Sequence, residues 1–318
     1  MTKYINLQLF ADMNTQTTAT STLSPEMKVF YSDYLIDNAV GKMVHDQFGQ
    51  KHPIPKNGGK TIEFRKYSPL PKLLTPLTEG VTPDGQSLTV TTIEATVAQY
   101  GGYVTLSDVL LMTAIDNNMV QATKLLGNQA GATLDTITRE VLNGGTNVVY
   151  AGGASGRAGL TATNKLTVDD IKKAVRALKT QNADKIGDSY VAIIHPDVTY
   201  DLTNDPAWQA VKDYDPKDWY EGEIGKIAGV RFVETTEAKI FDGGVYSTLI
   251  LGENAYGVTE IEGGGLQHIV KQLGSAGTAD ALDQRATVGW KATKVAERLV
   301  EQFMVRIESK STFAGEAN

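Results

Sequence analysis

Cysteine is absent from all 318 residues, which excludes a disulfide framework, a thiolate metal site and a thiol nucleophile. Such a chain is compatible with a reducing cytosol, or with a particle assembled there. Histidine is nearly as scarce. His45, His52, His195 and His268 are the four present, and none stands in an H-E-x-x-H or comparable metal arrangement. Long apolar runs are missing too. Nothing approaches the roughly 20 apolar residues that a membrane-spanning helix needs, so a soluble chain with no membrane partner is expected. Excess positive charge is also lacking: 30 Lys and Arg against 37 Asp and Glu leave a formal net charge of -7. That offers no general basic surface for tracking a phosphate backbone, and sequence-specific nucleic-acid binding is not expected. The apolar group Leu7, Leu9, Phe10 and Ala11 has only Lys3 ahead of it, too short and too weakly basic for a secretory signal.

What is present is globular. Hydrophobic residues make up 41% and charged residues 21%, enough apolar material for a large core. The length predicts one split domain or two domains. From Met13 to Leu23 the chain is rich in Thr, Ser, Asn and Gln and reads as a flexible arm. Ser24 then stands as an N-cap with Pro25 in the first helical position. Met27, Phe30, Tyr31, Tyr34 and Leu35 follow at helical spacing, with Gly49 as a stop.

The stretch from Thr61 to Ser107 is the most informative. Ile62 and Phe64 alternate with Glu63 and Arg65 as in a half-buried strand. Pro69, Pro71 and Pro76 then make that arm an edge or an irregular ribbon, because proline cannot donate to a ladder. Glu79-Gly80-Val81-Thr82-Pro83-Asp84-Gly85-Gln86 has the chemistry of an exposed tip. Leu88, Val90 and Thr92, then Ile93, Ala95 and Val97, form a β-prone return that changes phase near Thr92. Arms of about 12 to 15 residues would project on the order of 40–50 Å. A hairpin of that reach has few contacts with its own domain and suits a subunit that touches a neighbour; the alternative is a β-sheet folded back onto the body.

Ser107 or Asp108 opens a long helical pattern ending at Asn143-Gly144-Gly145, with a break near Asp116-Asn117-Asn118 allowed. Gly127 and Gly131 lie four apart within it. Each costs about 1 kcal/mol relative to Ala, for which close backbone packing on that face or a kink is the expected reason. Tyr150 to Asn164 is a Gly/Ala/Ser-rich hinge. Thr167 and Asp170 form a capping pair for a helix carrying Ile171, Val175 and Leu178. A strand at Tyr190 to Ile194, short helices at Tyr200 to Asn204 and Trp208 to Val211, and strands near Val230 to Glu234 and Tyr246 to Leu251 complete a mixed α/β module from Leu166 to Gln272. The tail, Ala286 to Glu308, reads as strands returning to the first region, with Trp290 in the core.

Chemistry is harder to find. Gly59-Lys60-Thr61 fails as a phosphate loop because Ile54 stands where the first glycine belongs. Gly152-Gly153-Ala154-Ser155-Gly156 and Gly263-Gly264-Gly265 do not match the dinucleotide fingerprint. His195 closes a strand, a common catalytic position, yet Pro196-Asp197 after it reads as a helix start and gives the histidine a capping or packing role. Asp213, Asp215, Asp218 and Glu221 crowd one loop, but Lys217 stands where a calcium loop wants an oxygen ligand. No catalytic residue, cofactor or metal is expected, and the chain is not read as an enzyme.

Several short segments stand out together: Asn6-Leu7-Gln8-Leu9-Phe10-Ala11, Leu77-Thr78-Glu79-Gly80-Val81-Thr82-Pro83, Gln99-Tyr100-Gly101-Gly102-Tyr103-Val104 with Ser107-Asp108, Ile194-His195-Pro196-Asp197 and Val288-Gly289-Trp290-Lys291. In order and spacing they resemble a tailed-bacteriophage major capsid protein, of the branch related to the shell proteins of large podophages. The resemblance implies an α+β fold of the Hong Kong 97 type. Its parts would be an N-terminal arm (1–23), an extended loop (61–98), a peripheral domain with a spine helix (24–60, 99–163 and 273–318) and an axial domain (164–272). It further implies self-assembly through pentamers and hexamers into an icosahedral shell around a double-stranded DNA genome. Expected partners are a separate scaffolding protein, a portal and decoration proteins; the expected location is the virion, after assembly in the host cytoplasm. The loop tip, Glu79 to Gln86, is the expected assembly interface. The rival readings are an encapsulin-type compartment and an enzyme with a site near His195.

Overall fold

The computed structural model describes residues 15–16, 43–67, 70–76, 79–80, 82, 84–113, 118–212, 225–275, 280–313 and 315–318. Most of the arm, the helix expected from Ser24, the break at Asp116-Asn117, the acidic loop from Asp213 to Glu221, and the tip residues Val81 and Pro83 lie outside the described residues. The chain divides into two compact units. Gln99–Thr136 and Gly263–Lys294, with the described residues ahead of His45, make the first; His45–Ala98, Ile137–Glu262 and Val295–Asn318 make the second.

In the second unit, a hairpin of β1 (Thr61–Tyr67) and β2 (Val90–Thr96) pairs in continuous antiparallel register from Thr61↔Thr96 to Tyr67↔Val90. No bulge interrupts it. The phase change read near Thr92 is therefore a change of face: Ile93 and Ala95 turn inward, while Val90 and Thr92 turn outward and stay exposed. Regular pairing stops at Tyr67, just before the prolines.

The first unit is built on β3 (Ala98–Ser107, from Gln99 onward), which leads directly into α1 (Asp108–Thr113). Ser107 caps that helix, its Oγ accepting from the Leu110 N–H at 3.3 Å. Next comes α2 (Asn118–Asn143), whose residues to Thr136 belong here. Its 26 residues span about 39 Å at 1.5 Å per residue. Leu126, Ala130 and Leu134 recur at spacings of four and are buried, as are Gly127 and Gly131 between them. The buried Lys294 ammonium donates to the Leu134 carbonyl at 2.8 Å.

The rest of the second unit is a seven-stranded mixed sheet. Its strands are β4 (Val148–Tyr150), β5 (Tyr190–Ile194), β6 (Val230–Glu234), β7 (Val245–Leu251) and β11 (Met304–Ser309), joined by the pairs Lys226–Ile227 and Ile240–Phe241. Every residue of β5, β7 and β11 is buried, so both faces of the sheet are covered. One face packs on α3 (Val168–Thr180), α4 (Pro196–Thr203) and Trp208 of α5 (Pro206–Lys212). There Ile171, Leu178, Ile194, Val198, Leu202, Tyr246, Ile250, Val305 and Ile307 share one core. The other face meets the end of α2, where Ser247 Oγ and Asn143 Oδ1 lie 2.5 Å apart.

Local chemistry explains the helix ends. Thr167 Oγ1 accepts from the Asp170 N–H at 3.3 Å, the capping expected for α3. Arg306 donates to the Asn143 carbonyl and, at 3.0 Å, to that of Gly145, satisfying groups the end of α2 would otherwise leave unpaired.

The tail returns to the first region as expected, since Arg285–Arg298 neighbours β3 in its sheet, but it also joins the later module. In β10 (Arg285–Arg298), residues to Lys294 pair with β9 (Gln267–Lys271) in the first unit, but Val295–Arg298 pair with β8 (Tyr256–Thr259) in the second. β11 then pairs with β7 and, in parallel, with β4. The reason is burial on both faces: a strand with no solvent side must lie inside a sheet with both faces covered.

Candidate functional site

The base of the hairpin is anchored. Phe64 on β1 sits against β8 so closely that a Cβ on Gly257 would lie 3.0 Å from its ring; a larger residue there would displace the hairpin. Ala95 and Val97 are buried, and the Val97 N–H donates to the Lys60 carbonyl at 2.8 Å. Beside this base lies a cleft of about 370 Å³ with an apolar floor of Phe64, Ile93, Leu299 and Val300 and polar walls that include Gln50, His52, Arg65 and Asn254.

Beyond the base the hairpin is bare. Tyr67 and Val90 face each other across the last pair and are both exposed. Leu70 and Leu88 are exposed as well, and Leu73 and Leu74 are 78% and 84% exposed. Two strands alone are marginally stable in water, and contiguous exposed apolar side chains mark interaction surfaces. Of the expected tip, Glu79, Gly80, Thr82, Asp84, Gly85 and Gln86 are described and all are exposed. The leucines at 70–74 escaped the sequence reading; their signal was three leucines among prolines, where no strand could carry them into the chain's own core.

The outer face is also charged. Glu63 and Glu94 are direct cross-strand partners, an unfavourable juxtaposition. Arg65 Nη2 lies 3.3 Å from Glu63 Oε2, but both side chains are exposed and the pair stabilises little.

His195 is used structurally. Its Nδ1 accepts from the Asp197 N–H at 3.2 Å, capping α4. Burial pushes its pKa below the ordinary histidine value, against the opposing pull of Asp197 and Glu234. Next to it, burial and a 2.6 Å hydrogen bond to Asp197 push the Tyr246 hydroxyl pKa well up. Asp201 holds the last residues on α4: Ser311 Oγ donates to it at 2.7 Å and the Thr312 N–H at 2.8 Å, with Lys165 at 3.2 Å. Burial alone would raise the pKa of Asp201, yet these bonds together hold it below the usual carboxylate value. Among the described residues, no group of three His, Cys, Asp or Glu side chains could hold a metal ion.

In the first unit Trp290 is 4% exposed, and its Nε1 donates to Gln129 Oε1 of α2 at 3.2 Å. Neighbouring strands run very close there. A Cβ on Gly101 would lie 2.7 Å from the Trp290 carbonyl, and one on Gly289 would lie 2.9 Å from that of Gly102. Only glycine fits such backbone contact, which explains why Gly101 and Gly289 stand in the segments singled out in the sequence.

Known structures share this architecture. The capsid of Ralstonia phage GP4 superposes with a TM-score of 0.68 at 15% identity, covering 99% of this chain and 100% of that one. The cyanophage Pam1 capsid gives 0.68 at 14%, covering 96% and 100%. The cyanophage P-SCSP1u capsid gives 0.65 at 15%, covering 93% of each chain. No curated protein sequence matches. At these identities the likeness shows the fold, the α+β phage-capsid architecture of the Hong Kong 97 type expected from the sequence. A family model described as phage capsid protein matches residues 90–298, more than half of the chain. The chain belongs to the phage capsid protein family.

Proposed function

We propose that this chain is the major shell subunit of a tailed phage, assembling through pentamers and hexamers into an icosahedral capsid around double-stranded DNA. Its role is structural, in the virion, and it carries out no catalysis. Assembly takes place in the host cytoplasm with a separate scaffolding protein, and the finished shell carries a portal and decoration proteins. The observation that carries this reading is the bare hairpin: Tyr67, Leu70, Leu73, Leu74, Leu88 and Val90 are exposed on an arm anchored only at its base. Laid across an adjacent subunit, that arm buries its apolar side chains and gains the third layer it lacks. Ring contacts are heterologous, so one surface of each subunit meets a different surface of the next. Trp290, Gly127 and Gly131 serve as packing residues of the first unit.

The test is expression of the chain alone and with its scaffolding protein, followed by negative-stain electron microscopy. Closed shells or capsomer rings are expected. Replacing Glu79 to Gln86 with a short Gly/Ser linker should leave a folded chain that forms no shells; normal particles from that variant would sink the interlocking role of the tip. Shells that load protein cargo and exclude DNA would favour the encapsulin-type reading instead.

A further inference from the structure

The solvent face of α3 carries Lys172, Arg176 and Lys179 at spacings of four and three, so the three cations form one stripe. Together with Val175, Thr180 and Ala228 they line a groove of about 480 Å³; Ala228 lies in the turn between Lys226–Ile227 and β6. Lys173 on the same helix is matched by Asp169 at 2.8 Å and Asp170 at 3.2 Å. Lys172, Arg176 and Lys179 make no ion pair with a described residue. Like charges three and four residues apart on a helix repel, so an anion brought to this stripe relieves a standing cost.

The chain itself contains a segment of matching chemistry. Between positions 213 and 223, Asp213, Asp215, Asp218, Glu221 and Glu223 stand against the single cation Lys217, interleaved with Tyr214, Trp219 and Tyr220. Carboxylates make charge-assisted hydrogen bonds to guanidinium and ammonium groups. Aromatic rings stack on an arginine plane and on the aliphatic stems of lysine.

We propose that the acidic segment 213–223 of one subunit docks in the Lys172–Arg176–Lys179 groove of the next subunit in the same ring. The inference rests on the ring-forming role proposed above and names a second contact that holds the ring. Each copy gives its segment to one neighbour and its groove to the other, the heterologous arrangement that closes a ring. Because both surfaces are charged, the contact sets register and rejects wrong partners more than it adds raw affinity, and it weakens with salt.

Charge reversal tests it. One variant carries Lys172→Glu, Arg176→Glu and Lys179→Glu; a second carries Asp213→Lys, Asp215→Lys, Asp218→Lys and Glu221→Lys. Each alone should keep the wild-type melting temperature and lose capsomer rings, with each contact weakened by about tenfold or more. Mixing the two variants should restore rings, because the reversed charges then meet between chains. A milder Lys172→Gln, Arg176→Gln, Lys179→Gln chain covers the case in which the reversed helix does not fold, and should assemble only at reduced salt. Normal rings from the groove variants would overturn the proposal. So would rescue by the doubly reversed chain without rescue by mixing, which would place the segment in its own groove. Normal rings whose shells lose only DNA would also overturn it, making the genome the groove's partner. Failure of the wild-type chain to form rings, with or without scaffold, would instead count against the capsid function itself.

Discussion

Two stretches of the second unit use similar residues to opposite ends. Strand β7, Val245–Leu251, is apolar or small throughout, and all seven residues are buried. The hairpin end, from Tyr67 to Val90, carries Leu70, Leu73, Leu74 and Leu88, all exposed. Hydrophobicity alone does not separate them. β7 lies between β5 and β11 with helices against it, so its side chains have partners on both faces. The hairpin is a two-stranded ribbon anchored at Phe64, and past Tyr67 its described apolar side chains stay exposed. The lesson is that apolar surface in one subunit has two destinations. Some contributes to folding, and some is held for the neighbour.

Three experiments probe that contrast, from the largest expected effect on stability to the smallest. Glu308, 0% exposed on β11, accepts from Arg157 at 2.7 and 2.8 Å and from Arg306 Nε at 2.9 Å. Glu308→Ala leaves the buried Arg306 without its carboxylate and should cost about 3–5 kcal/mol, read as a loss of denaturant midpoint. A change below about 1 kcal/mol would mean that the sheet tolerates an unpaired cation, contrary to the usual desolvation penalty.

A smaller effect is expected from pH. His195 has a folded pKa lowered by burial, and its neutral Nδ1 caps α4. The unfolded chain therefore binds the proton more readily than the folded one. Stability is full above the unfolded value near 6.5 and falls as pH drops through that value toward the lower folded pKa. Melting temperature measured between pH 8 and 5 should decline on the acid side, and His195→Asn, which keeps a capping acceptor, should flatten the slope. An unchanged slope would assign the acid sensitivity elsewhere.

At the other extreme, Leu73→Ser with Leu74→Ser should alter the stability of the isolated chain by no more than about 0.5 kcal/mol, because neither side chain is covered. Shell yield should collapse all the same. A clear drop in monomer stability would show that the leucines pack on their own chain, and the contrast with β7 would fail.

Much of this was legible in advance. The capping pair Thr167 and Asp170, the strand Tyr190–Ile194 and the capping role of His195 depend on local geometry, which neighbouring residues dictate. The hairpin was readable from its alternation and its prolines. What the sequence could not convey was which side of that ribbon would be left bare, because the inward face depends on β8 meeting Phe64 at Gly257. Nor could it show that Arg157 and the buried Arg306, up to 151 residues apart in sequence from their partner, would both pair with the buried Glu308.

By itself, then, the sequence determined the periodic elements, their caps and turns, and the cysteine-free composition, since each depends on residues within a few positions of one another. Only the tertiary structure decided that Met304–Ser309 would enter the interior of a sheet beside Val245–Leu251, with Ile307 opposite Thr248, and that six apolar side chains of the hairpin would stay uncovered. Burial is a property of what lies opposite a residue: Phe64 at the hairpin base meets Gly257, while Leu73 and Leu74 beyond it stay exposed.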